Sequence, residues 1–322
     1  MSPLQSSSPS FNGQPIRRLL SLSKALGCTS NKLNYVGAQA NGLYRTAQEV
    51  PKSDGTIRYT FDAKPLLKGI QRRIKTEILD RVVFPDYLTG SIKGRDYKCN
   101  AELHKGAAIV ISEDIGSFFP STTADLIFDV WRCFFGFSEE VAKLLTALTT
   151  RNDELPQGAI TSPQLANLVF WRHEPLLHDR FAAEGIVYSR FVDDVSVSSK
   201  AVLPPEKKTE IIAAVYGLML RGGYEPKRRK HELKTARQQM TVTKLTINQK
   251  PGIPKDERAR IRATVHRLEK LVERQDPLLD LKRDFASVQG KVNHLARFHP
   301  GEAAALKARL IAAGQQVTVR NF

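Results

Sequence analysis

Apolar residues in this chain recur with two different spacings, and the places where the spacing changes mark out its elements. Across residues 187–198 apolar and polar positions alternate on both sides of an adjacent acid pair, with Val187, Phe191, Val195 and Val197 as inward positions. That pattern predicts two short strands joined at an Asp193-Asp194 turn, which would present both acids outward. A second hairpin is predicted from residues 44–50 and 56–61, turned at Asp54-Gly55. From residue 64 the period lengthens. Leu66, Leu67, Ile70, Ile74, Ile78, Leu79 and Val82 fall on one helical face, with Lys68, Arg72, Arg73 and Lys75 toward solvent and an end before Pro85.

The same reading predicts a helix over 16–26, a Gly- and Lys-rich loop over 90–105 and a short apolar strand over 107–111 that delivers Asp114. Helices are expected over 121–135 and 141–150, and the turn-rich stretch 155–163 feeds another from Gln164 to about residue 182. After the acid pair come a helix over 205–220, a Gly222-Gly223 break, the basic run 227–230, a strand over 241–248 and a linker at 251–254. The remainder is helical, with Lys255, Arg258, Arg260, Arg262, Arg267 and Lys270 along one segment. Strands alternating with helices, followed by an all-helical basic tail, define an α/β chain with a helical appendage.

Composition narrows the partners. The chain has 322 residues, enough for two or three subdomains. Lys plus Arg number 49 against 33 Asp plus Glu, a net charge of +16, which points to a polyanionic partner. Cys28, Cys99 and Cys133 are scattered without a Cys-x-x-Cys pair, so we expect reduced thiols in a cytoplasmic protein rather than a zinc site or disulfide framework. No apolar run reaches the roughly 20 residues of a membrane span, and the first residues lack the basic start and apolar stretch of a signal peptide. A soluble protein without a membrane partner is expected.

Candidate chemistry lies with three carboxylates. Asp114 sits in Ile-Ser-Glu-Asp-Ile-Gly-Ser-Phe-Phe-Pro-Ser, and Asp193 with Asp194 in Tyr-Ser-Arg-Phe-Val-Asp-Asp-Val-Ser-Val-Ser. Two unit charges about 4 Å apart cost roughly 4 kcal/mol at an effective dielectric of about 20, so a third acid beside the pair calls for a divalent cation or a large pKa rise. Oxygen-only ligands with phosphate nearby favour magnesium. An acid-rich surface turn would account for Asp193 and Asp194 alone. His173 and His178 lack the spacing of a zinc helix and are read as structural.

With these residues in view, the chain resembles bacterial reverse transcriptases of the retron-like kind over roughly residues 40–270. The resemblance is carried by Arg58 in its strand, Asn100-Ala101 with His104, Asp114-Ile-Gly-Ser-Phe-Phe-Pro-Ser, Leu-Pro-Gln-Gly-Ala-Ile-Thr-Ser-Pro and Phe191-Val-Asp-Asp. It extends to Lys230 and to Val242-Thr243 with Leu245 and Asn248. Two positions depart from the family. Phe191 replaces its usual Tyr, and Lys244 stands where retron enzymes carry Gly.

The resemblance implies an α/β right-hand polymerase fold with an all-helical C-terminal thumb: an N-terminal extension and helix over 1–35, fingers and palm over 36–249, and the thumb over 250–322. It implies RNA-directed DNA synthesis, with Asp114 and Asp193 binding two magnesium ions and Asp194 supporting them. Arg58 and Lys230 would meet the triphosphate, although Lys227, Arg228 or Arg229 could equally supply the second cation. Gln157 and Gly158 would lie beside template and incoming nucleotide. Phe119 would sit under the sugar and reject a ribose, with core packing as its alternative. Arg258, Arg262 and Lys270 would approach phosphates of the duplex, although solvated helix faces look the same. His104 is read as structural.

The implied partners are a structured noncoding RNA as template and primer, an RNA–DNA hybrid, deoxynucleoside triphosphates and a separate effector protein in an antiphage system. Two other readings stay open: a template-independent or protein-primed polymerase of the abortive-infection type, and a noncatalytic RNA-binding scaffold.

Overall fold

A computed structural model of the chain describes residues 7–51, 55–274 and 280–320. It opens with a two-residue strand β1 (Ser10–Phe11), helices α1 (Leu19–Ala25) and α2 (Ser30–Gln39), and an antiparallel ribbon of β2 (Tyr44–Pro51) and β3 (Ile57–Ala63). This is the hairpin predicted from residues 44–50 and 56–61, although most of its turn, residues 52–54, lies outside the described residues. Helix α3 (Pro65–Glu77) starts with a proline in its first turn, where the missing N–H costs no hydrogen bond, and it buries Leu67, Ile70 and Ile74. The predicted helix is too long. The backbone leaves the helical region at Ile78, and Leu79 and Val82 are buried instead by a tight turn and by β4 (Val82–Val83), which pairs with β1. Leu66, assigned to the apolar face, is exposed.

The stretch 90–105 is not all loop. It contains α4 (Tyr97–Leu103), started by Asp96, whose side chain accepts from the backbone N–H groups of Lys98 and Cys99 at 2.9 and 3.0 Å. Then come β5 (Ile109–Asp114), α5 (Phe118–Ser121), α6 (Ala124–Asp129), α7 (Glu139–Thr149), α8 (Ser162–Leu168) and α9 (Glu174–Ala183). Two helices predicted as continuous are broken. Thr122 turns extended, and Thr123 starts α6 by accepting from Leu126 N–H. Pro175, in the first turn of α9, has no N–H with which to continue a helix from α8.

The predicted hairpin forms from β6 (Ile186–Phe191) and β7 (Asp194–Ser199), but its turn is Val192-Asp193, one residue earlier than the expected Asp193-Asp194, because Asp194 already pairs with Phe191; α10 (Pro205–Arg221) follows. Then come β8 (Glu232–Thr235), β9 (Thr241–Val242) and β10 (Leu245–Thr246). The strand predicted over 241–248 is thus a small hairpin, turned at Thr243 and Lys244, both with positive φ. The main sheet runs β6-β7-β5-β8, antiparallel throughout. Val195 and Val197 are buried as expected, but on β6 the buried residues include Ile186, Tyr188, Ser189 and Arg190, while Val187 and Phe191 are half-buried. Both faces of this sheet are covered, so simple alternation assigns β6 wrongly.

One hydrophobic core runs from Leu22 through Trp131 and Val197 to Tyr224. A second joins α11 (Lys255–Glu273), α12 (Leu281–Ala296) and α13 (Pro300–Arg320) to β9, β10 and Val110 of β5. The expected linker at 251–254 is part of this second core: Ile253 is buried, and its N–H donates to His299 Nε2 at 3.0 Å. The helical appendage is therefore docked on the sheet through packed side chains. Among the described residues, no helix is long and apolar enough to cross a membrane.

Candidate active site

Strand pairing brings the three acids together. Asp114 ends β5 directly opposite Asp194, the first residue of β7, and Ile115 N–H donates to the Asp193 carbonyl at 3.0 Å. Between Phe191 and Asp194 only two residues make the turn, which forces Val192 to a φ of 62°, strained for a β-branched side chain. Neighbours hold it there. Gly90 lies so close that a Cβ would sit 2.5 Å from Val192 N, and Arg190 Nη1 donates to the Val192 carbonyl at 3.0 Å. Asp114 is buried, while Asp194 is exposed at the hairpin tip.

The electrostatics are those of crowded acids. Desolvation raises the pKa of Asp193, and the charge of Asp114 adds to it. Asp194 is pushed up to about 7 by desolvation and by the charges of Asp193 and Asp114. Lys230 Nζ hydrogen-bonds to Asp114 Oδ2; burial lowers the lysine's pKa, and the bond and charge of Asp114 outweigh that and raise it. Among the described residues, no three His, Cys, Asp or Glu side chains are arranged around one point to hold an ion. The donor set still fits a hard divalent cation: it is all oxygen, the ionisation of Asp193 and Asp194 is opposed by neighbouring acid charge, and an ammonium already takes the place of positive charge beside Asp114.

A cavity of about 330 Å³ opens over these acids, lined by Asp114 and Asp193 together with Arg58, Phe119, Gln157 and Lys230. Six of the residues singled out from sequence therefore share one space. Gly158 packs behind it at a φ of +107°, where a Cβ would lie 2.8 Å from the Phe61 carbonyl. Next to it, Gln157 O accepts from Phe61 N–H at 2.7 Å, so the loop is stitched onto the strand that carries Arg58. Phe119 is half-buried, edge-on to the buried Phe118. Asp194 faces a second cavity of about 630 Å³ with Tyr97, Phe191, Lys244, Glu257 and His294.

Other residues fall elsewhere. Arg258 and Arg262 both pair with Glu302, at 2.8 Å for Arg258, and Lys270 pairs with Glu273 at 2.7 Å. None of the three lines either cavity. Arg151 and Lys227 do line the first one; Arg151 stacks its guanidinium 4.1 Å from the Phe61 ring centroid. Lys227 was legible in the basic run, but Arg151 had only its place four residues ahead of the 155–163 loop. Of the other basic-run residues, Arg228 stacks over Tyr216. His104 is buried with both ring nitrogens bonded, and desolvation pushes its pKa down to about 4. His178 stacks on Tyr87 at 4.5 Å.

An antiparallel sheet with three acids at one end, two of them lining a cavity with Arg58 and Lys230, is the arrangement expected of a nucleotidyl-transferring polymerase. The family described as reverse transcriptase (RNA-dependent DNA polymerase) matches residues 50–249. The chain is 32% identical over 308 residues to the Retron Se72 reverse transcriptase of Salmonella heidelberg (strain 579083-10), covering 94% of this chain and 81% of that one. It is 30% identical over 306 residues to the Retron Ec48 reverse transcriptase of Escherichia coli, covering 89% and 74%. With the Retron Ec86 reverse transcriptase of Escherichia coli the identity is 28% over 262 residues, covering 80% of each. The chain belongs to the reverse transcriptase family, on its retron branch. It is an RNA-directed DNA polymerase with a right-hand polymerase fold.

Proposed function

We propose that this reverse transcriptase copies a structured noncoding RNA that it binds, using two-metal phosphoryl transfer at Asp114, Asp193 and Asp194. The observation that carries the reading is the register of Asp114 against Asp194, with Asp114 and Asp193 lining a cavity that also holds Arg58 and Lys230. Asp114 and Asp193, supported by Asp194, would hold two magnesium ions, whose chemistry there is to acidify the attacking primer hydroxyl and neutralise charge on the phosphates. Arg58 grips the triphosphate with a guanidinium fork, and Lys230 exchanges its contact with Asp114 for a phosphate oxygen. Gln157 and Gly158 flank the base pair being formed. Phe119 forms the floor under the sugar and collides with a 2′-hydroxyl.

The helical unit from residue 250 acts as the thumb, with Arg258, Arg262 and Lys270 near duplex phosphates once they leave their carboxylate partners. Similarity to retron reverse transcriptases supports a role in a cytoplasmic antiphage system in which the effector is a separate protein. A noncatalytic scaffold is disfavoured, because clustered acids that repel one another give a scaffold nothing.

Asp193→Ala should abolish nucleotide incorporation while RNA affinity persists; a variant that still extends primers defeats the assignment. Sequencing the nucleic acid that copurifies with the wild-type protein should recover DNA joined to one defined RNA. RNA alone, or random or homopolymeric DNA, would overturn the template assignment.

A further inference from the structure

Asn100 and His104 line neither cavity, yet they are buried at 0% and 1% exposure directly beneath the acid-bearing hairpin. Four residues apart, they share one face of α4 and its C-terminal end. His104 Nε2 meets Ser189 Oγ of β6 and Nδ1 meets Ser198 Oγ of β7, both at 2.7 Å. Ser189 Oγ donates to Asn100 Oδ1 at 2.7 Å, which also accepts from Thr89 Oγ1 at 3.0 Å. Because Ser189 gives its proton to Asn100, its oxygen accepts from Nε2–H, and Nδ1 accepts from Ser198. One neutral imidazole thus bridges two strands.

We propose that Asn100 and His104 are positioning residues of the polymerase site: they lock β6 to β7 below the acid pair, tie both to Thr89, and so fix where Asp193 and Asp194 stand against Asp114. The inference rests on the catalytic reading of those three acids.

The location explains the need. β6 is the outer strand of the sheet; beyond it, among the described residues, lies the isolated bridge of Leu88 with Arg190, made by Arg190 N–H to the Tyr87 carbonyl and Thr89 N–H to the Arg190 carbonyl. A strand paired fully on one side can shear and tilt; Ser189 stands two residues from the turn end of β6, opposite Ser196, and Ser198 four residues from the turn end of β7, opposite Val187, so the imidazole braces the two strands diagonally. Side chains at these two points control the hairpin's register and lean. Stability alone does not account for the network. It buries five polar side chains and leaves Asn100 Nδ2 without a partner, a desolvation cost that apolar residues of similar volume would avoid. What a bonded network supplies is one rigid arrangement.

The test compares His104→Gln, Ser198→Ala and Ser189→Ala/Ser198→Ala with the wild-type protein on a primed RNA template, at a temperature where circular dichroism shows every variant folded. Asp193→Ala is run alongside. Misplaced acids should lower kcat on the order of tenfold to 100-fold and raise the magnesium concentration for half-maximal rate. KM for the deoxynucleotide should stay within about twofold, because its binding groups are untouched. The double serine variant should lose at least as much as His104→Gln, since it removes both partners of the imidazole and the Ser189 bond to Asn100 as well. Folded variants with wild-type kcat and magnesium response overturn the proposal, provided Asp193→Ala is dead. An active Asp193→Ala instead overturns the catalytic reading on which the proposal stands.

Discussion

Removing the carboxylate of Glu174 should be among the most destabilising single changes in this protein, and the reason lies in what it would strand. Arg190 is fully buried, and its Nε and Nη2 donate to Glu174 Oε1 and Oε2 at 2.6 and 2.8 Å. Tyr188 OH donates to the same carboxylate at 2.7 Å. Glu174→Ala leaves the guanidinium without its counter-charge and the phenol without its acceptor. Breaking a buried pair in this way costs about 3–5 kcal/mol, a large share of the roughly 5–15 kcal/mol that holds a typical domain. Urea unfolding followed by circular dichroism should show the midpoint falling by roughly 1 M or more.

The double variant Glu174→Met/Arg190→Met removes both charges and should recover most of that loss. It should not recover polymerisation, because Arg190 Nη1 also holds the carbonyl of Val192 in the turn before Asp193. An unchanged midpoint for Glu174→Ala would refute the energetic argument. A fully active double variant would refute the link from the ion pair to the catalytic turn.

Three further outcomes are expected. His104 has a folded pKa of about 4 against an ordinary 6.5, so the unfolded chain binds more protons between these values. The stability from keeping it neutral is complete above about pH 6.5 and falls by about 3 kcal/mol toward pH 4; urea midpoints against pH should fall less steeply for His104→Gln, and identical slopes would discount the buried ring. Phe119→Ala should raise ribonucleotide incorporation relative to deoxynucleotide, measured by competing the two on one template, and unchanged selectivity would return Phe119 to a packing role. Arg258→Ala and Arg262→Ala should each flatten the dependence of log affinity on log salt for duplex by about 0.9 if they reach phosphates; an unaltered slope would leave them as struts to Glu302.

Local pattern made much of the molecule legible. Alternation about Asp193-Asp194 located the hairpin, and the Asp-Gly turn located the ribbon, because turn chemistry and strand period reinforce each other there. The meeting of Asp114 with that pair follows once β5 and β7 are neighbours, which strand period alone does not dictate. What escaped was structure whose stability comes from elsewhere in the chain. The buried face of α4 is built on Asn100, so it shows no apolar period. Arg190 and Glu174 read as solvent-facing until a partner from another element is known. The β9–β10 turn carries no glycine or asparagine. Lys244 takes a φ of 67°, so tertiary packing imposes there a conformation that glycine would adopt without strain.

The stitch between Phe61 and Gln157 constrains how the enzyme can shut. With a backbone bond on one side and no room for a side chain at Gly158 on the other, the β2–β3 ribbon cannot tilt without dragging the Pro156-Gln157-Gly158 loop along. Lid and wall are therefore one moving part. On the role proposed for Arg58, a phosphate that drew it inward would shift Gln157 as well, so that substrate charge and base fit would be coupled through this one contact.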